Sequence, residues 1–232
     1  MLVAAVLAIT LLTNWPGTLR NILADLRFAW QSRAATGDVV VVAIDAPSIE
    51  QIGVWPWPRR LHAELLRRLD AAGVSEVAFD VDFSTPSDPD SDRSFLNALQ
   101  AAGGSTVLPA FRQAGANGAT YFNRPLLQFR DQVWTASVNV AIEPDGLARR
   151  YSFGQALDSE FLPSMAAVLA GRFDADKWNF LIDFSIRSTT IPTISYVDVL
   201  RGDQATLDRL KDKKVNVGGT ALELGDRFSV PY

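Results

Sequence analysis

The stretch that most constrains this chain is residues 39–83, VVVVAIDAPSIEQIGVWPWPRRLHAELLRRLDAAGVSEVAFDVDF. An apolar run, 39–44, stops at Asp45. A turn region carrying Gly53, Trp55, Pro56, Trp57 and Pro58 follows. Residues 59–72 then carry apolar side chains at helical spacing and close on Gly73, and a second apolar strand runs over 76–83. Strand, crossover helix, strand is the pattern of a parallel βαβ unit. The first strand does not alternate, so both of its faces are expected to be buried beneath helices. Asp45, Asp80 and Asp82 fall at or near the strand ends, where open α/β sheets form their ligand crevice.

Downstream, helices are expected at 92–102 (ended by Gly103-Gly104), 162–169 (ended by Gly171), 196–200 behind an N-cap at Ser195, and 207–211. Strands are expected at 105–111 with a break at Pro109, at 181–184 and at 215–217. The turn Pro144-Asp145-Gly146 is expected to join 132–142 and 148–156 as an antiparallel hairpin. The expected fold is one α/β domain of three layers: a mainly parallel twisted sheet, helices on both faces, and that inserted hairpin.

The N-terminal part has another character. Residues 1–13, MLVAAVLAITLLT, are uniformly apolar but shorter than the roughly 20 residues that span a bilayer. They read either as the end of a transmembrane helix, with residues 1–17 its outer part, or as a buried helix of a soluble protein. Residues 18–31 continue as a helix whose stripe of Leu19, Ile22, Leu23, Leu26 and Trp30 is expected to pack on the sheet or on a partner helix. Residues 18–232 then form the single domain.

Composition narrows the chemistry. Of 232 residues 48% are hydrophobic and 21% charged, so a packed core is expected. The net charge of -4 and the lack of a basic stripe argue against a nucleic-acid partner. Without cysteine, thiolate metal sites are excluded; with His62 as the only histidine, so is a multi-histidine site within one chain. No phosphate-binding glycine loop or nucleophile elbow is present, so no cofactor and no catalytic residue is assigned.

The ligand-binding candidates are Asp45, Trp55, Trp57, Arg59, His62, Asp80 and Asp82. The three carboxylates suit a cation or the amine of a small ligand; they equally suit loop caps or arginine partners. Trp55 and Trp57 offer ring faces to a ligand, or close as a rigid lid on the core. Arg59 is an anion clamp or half of an ion pair, and His62 a sensor of acidification or a packed histidine. Asp88, Asp90 and Asp92 read as a solvated loop.

Several segments together resemble the extracytoplasmic sensor domain called CHASE, type 2. They are VVVVAIDAPSI, GVWPWPR, FDVDF, DGLARR, LPSMAAVLAG, NFLIDFS, IPTISYVDVLRGD and GGTALELGDRFSVPY, in order from about Asp25 to Tyr232. The run 215–219 departs from that pattern at Asn216, where an unbroken apolar strand is usual. The resemblance implies a domain outside the cytoplasmic membrane of a bacterium, tethered by flanking transmembrane helices. It would regulate a cytoplasmic nucleotide or diguanylate cyclase, phosphodiesterase or kinase. A homodimer is expected, with an unidentified small ligand or periplasmic protein as partner. The alternative from the carboxylates alone is a Mg²⁺-dependent phosphoester hydrolase built on Asp45, Asp80 and Asp82.

Overall fold

The structure, a computed structural model, describes residues 15–115, 119–157, 160–172, 179–221 and 228–231. In chain order its elements are α1 (Trp15–Trp30), β1 (Val39–Ile44), α2 (Ala46–Ile52), α3 (Arg59–Ala71), β2 (Glu76–Asp80), α4 (Pro89–Ala101), β3 (Thr106–Ala114), β4 (Thr120–Asn123) and α5 (Leu127–Arg130). Then come β5 (Trp134–Ser137), β6 (Arg150–Ser152), β7 (Gly154–Leu157), β8 (Glu160–Pro163), α6 (Met165–Ala170), β9 (Asn179–Leu181), β10 (Thr193–Ser195), α7 (Tyr196–Arg201), α8 (Gln204–Asp208) and β11 (Lys214–Gly219).

The main sheet runs β10-β1-β11-β2-β3, with β5 parallel and β4 antiparallel on β3. All pairings except β3–β4 are parallel, as expected of strands buried on both faces. The first βαβ unit is therefore present, but β1 and β2 are not neighbours. The last of the described strands, β11, lies between them, with Val42 beside Val217 and Val217 beside Phe79.

Period-two alternation sorts the strand side chains into two layers. Val42, Val217, Phe79 and Leu108 point to the face covered by α3, α4 and α7 and form the large core with Leu65, Phe95 and Tyr196. Ala78, Val107 and Ala136 point the other way, against Met165 and Val168 of α6. Each fully buried aliphatic or aromatic side chain contributes about 1.5–3 kcal/mol, so the first face supplies most of the stability.

Several expectations are corrected. Residues 46–52 are helical, because Asp45 accepts from Ser48 N (3.0 Å) and Pro47 occupies the first turn. The helix expected from 92 begins at Pro89, capped by Asp88, so Asp92 sits inside a helix rather than in a solvated loop. β3 runs unbroken through Pro109. Ser105 O receives a bond from Val77 N, so alternation aims the nitrogen of residue 109 away from β5, and the parallel pairing with β5, in which Pro109 lies beside Ala136, loses no bond.

The hairpin about residues 144–146 keeps its turn but only one bridge, Ala141 to Arg150; β5 pairs instead with β3. Outside the main sheet, the antiparallel pairs among the described residues are β6–β9 and the β7–β8 hairpin.

Of the two packings expected for the stripe of α1, on the sheet or on a partner helix, the first does not occur. The Asn21, Asp25 and Phe28 edge of the helix docks on the domain, through Glu143, Arg149 and Phe184. The apolar stripe faces outward, and Trp30 is 88% exposed. The reason is electrostatic. Arg149 is almost wholly buried and holds Asp25 (3.2 Å), Glu143 (3.2 Å) and Asp145 (2.5 Å), so its charge draws the polar edge inward. Among the described residues no helix is long and apolar enough to cross a membrane; residues 1–13 lie outside them.

Candidate functional site

Beyond the carboxyl ends of β1, β2 and β11, a cleft of about 620 Å³ opens between the Trp55–Pro58 turn and the loop leaving β2. Ile44, Asp80 and Gly219 mark its floor, where the crevice rule for α/β sheets places a ligand. Trp55, Trp57, Arg59, His62, Asp80 and Asp82 all line it; Asp45 lies outside the lining. Arg60, Asp88 and Thr85 line it too, although the sequence did not single them out for this.

The geometry divides the candidates. Asp45 Oδ1 accepts from Ser48 Oγ (2.6 Å) and Ser195 Oγ (2.9 Å), which ties the start of α2 to the start of α7. Ser195 precedes α7 as expected, but its hydroxyl turns to Asp45 and does not cap the helix. Trp57 is 5% exposed, donates Nε1–H to Gly53 O (2.9 Å) and lies 4.9 Å from the Tyr196 ring. Trp55 stands over it edge-on at 5.2 Å and remains half-buried, so its ring borders the open space.

Arg59 is buried beneath this turn. Its Nη1 lies 2.6 Å from Asp92 Oδ1, and Nη2 donates to Thr85 O. The guanidinium lies over the rings of Phe83 and Phe129, at 5.6 and 5.4 Å from their centroids. Asp92 also accepts from Ser87 N, so the pair fastens the loop after β2 to two helices. Both charges are thereby compensated, which a low-dielectric site requires.

His62 sits at the centre of an aromatic shell of Phe79, Phe83, Phe95 and Tyr196. Burial, with the neighbouring Arg59 charge, pushes its pKa down to about 3, so the ring is neutral throughout the physiological range. Its Nδ1 shares a hydrogen bond with Tyr196 Oη (2.9 Å), and burial raises that phenol well above its ordinary value. The ring holds the core together and does not titrate in mild acid.

What reaches solvent in the cleft is Trp55, Arg60, Asp80, Asp82 and Asp88. Asp82 accepts from Ser84 N (2.8 Å), and Asp88 caps α4. Hydrogen bonds from Ser91 hold the Asp88 carboxyl below its usual range. One aromatic wall with charges of both signs suits a small polar or zwitterionic ligand. Among the described residues no three acidic or histidine side chains gather closely enough to hold a metal ion, so Asp45, Asp80 and Asp82 do not converge as the hydrolase reading requires.

Comparison with protein families gives one result. The family model of the CHASE2 domain matches residues 1–232, the whole length of the chain. Comparisons with curated proteins and with solved structures each returned no match.

Proposed function

The chain belongs to the CHASE2 domain family, a family of extracytoplasmic sensor domains, and from that premise we propose that it is the signal-input part of a bacterial membrane receptor. The reading places residues 18–232 on the outer side of the cytoplasmic membrane as a single domain, with residues 1–17 as the end of the preceding transmembrane helix. The regulated output is a cytoplasmic nucleotide or diguanylate cyclase, phosphodiesterase or kinase. The observation that carries it is the end-to-end family match.

The way α1 is fastened supports the reading. Arg149 links Asp25 on that helix to Glu143 and Asp145 on the domain. A change in the domain is thus passed to the helix that leads toward the membrane. The outward stripe of Leu19, Leu23, Leu26 and Trp30 suits a second copy of the chain, and the receptor works as a homodimer. The stimulus is a small molecule in the cleft beside Trp55, Arg60, Asp80 and Asp82, or a periplasmic protein seated over it.

Protease added to spheroplasts tests the placement. The reading expects the domain to be cleaved with the inner membrane intact; protection until lysis would overturn it. In the full-length protein, Arg149→Ala is expected to change the basal rate of the cytoplasmic enzyme. Arg67→Ala, which removes only an exposed pair with Glu64, leaves that rate unchanged.

A further inference from the structure

A second cavity, of about 760 Å³, lies on the opposite face of the sheet, between the strands and α6. Its volume falls within the range of roughly 300–1,000 Å³ typical of small-molecule sites. Phe111, Val138, Met165, Leu169 and Phe228 give it apolar walls. Two polar residues of the lining bear on what it can hold.

The first is Asn216, on the inner strand β11. Its neighbours in register are Val41 and Ala78, so an apolar residue would continue the row. Its Oδ1 is buried and accepts no hydrogen bond. An orphaned buried acceptor destabilises a fold, and a valine here would not. The second is Tyr151 on β6, whose ring packs on Phe180. Burial, and then the Asp80 carboxylate, push its pKa up to about 12, so its hydroxyl keeps its proton and can donate.

We propose that this cavity binds a small uncharged molecule with an apolar body and one hydroxyl or amide head, the head lying between Asn216 and Tyr151. Such a head both donates and accepts, which serves the Asn216 amide in either orientation of its oxygen and nitrogen. Charge excludes the other classes. Among the described residues the lining contains no lysine, arginine or histidine, and Asp80 at the rim opposes an anion. A cation would have to leave water for the apolar walls of Phe111, Val138, Met165, Leu169 and Phe228. The assignment concerns the domain alone and does not rest on the sensory reading; the charged cleft by Trp55 lies beyond the strand ends and shares only Asp80 with this cavity among the described residues.

The test uses the 232-residue chain and three probes of one shape: 4-phenylbutan-1-ol, 4-phenylbutylamine and 4-phenylbutyrate. Binding is followed by backbone amide shifts in NMR titrations. The alcohol is expected to bind best and to move the amides of Ala78, Met165 and Val217. Asn216→Val, which removes only a polar group from a strand, is expected to weaken it about tenfold, the loss of one good hydrogen bond. Tyr151→Phe weakens it in the same direction. Ala166→Trp, at the mouth, abolishes it, and Arg60→Ala in the other cleft leaves it unchanged. Failure of the alcohol to bind, preference for either charged probe, binding that survives both Asn216→Val and Tyr151→Phe, or loss on Arg60→Ala would overturn the proposal.

Discussion

The two faces of the central sheet are built to different standards. On one, Val42, Val217 and Phe79 meet α3, α4 and α7, and the Phe83 and Phe95 rings stack at 4.7 Å. The charged and aromatic polar groups packed there are matched, Arg59 with Asp92 and His62 with Tyr196, and Asp45 at its edge holds two serines, while the Thr106 and Ser91 hydroxyls have no partner among the described residues. On the other, Val41, Asn216 and Ala78 present small or polar side chains to a six-residue helix, leaving a large cavity and an unmatched amide. The difference shows how one sheet divides two tasks. The filled face fixes the geometry of the strand ends, while the underfilled face has room to take something in.

Substitutions can sharpen or break that contrast. The largest effects belong to the filled face. Phe79→Ala or Arg59→Ala should each lower the unfolding free energy by about 3–5 kcal/mol, the first by opening a cavity and the second by stranding Asp92. Met165→Ala, beside space that is already open, should lose about 2 kcal/mol. Urea midpoints measure all three, and equal losses from Phe79→Ala and Met165→Ala would erase the distinction.

Acid gives the next effect. His62 has a native pKa of about 3, below its unfolded value, so the unfolded chain binds the proton first. Its stabilisation is complete above the unfolded pKa and drains as pH falls toward the native one, by about 1.4 kcal/mol per pH unit. Because it is the sole histidine, the slope between pH 6 and 5 should flatten in His62→Gln. An unchanged slope would show that the ring is not held neutral. The smallest effect has the opposite sign. Asn216→Val should raise stability by about 1 kcal/mol, since it removes an unpaired buried acceptor; a loss of that size would mean the amide already has its partner.

Local rules carried much of this fold into the sequence. The apolar run of β1, the helix α3 closed at Gly73, and the left-handed glycines 171 and 202 that end α6 and α7 follow from nearest neighbours alone. Partner identity did not. Asp92 is 33 residues from Arg59 and Tyr196 is 134 from His62, so no local pattern tells a matched charge from one awaiting a ligand. For the same reason Pro109 read as a break, since its tolerance depends on β5, which pairs with β3 across it. The second cavity had a single visible trace, the asparagine in an otherwise apolar strand.

The place of β11 governs when the molecule can be finished. Residues 214–219 complete the middle of the sheet, yet they follow all the other described strands in the chain. Until they arrive, β1 and β2 have an open gap between them, and their inner edges carry unbonded amides and carbonyls. A ribosome or export channel delivering this chain from its N-terminus must therefore release everything from β1 through β11 before the sheet can close. During that interval the exposed edges invite chaperones and neighbouring nascent chains alike.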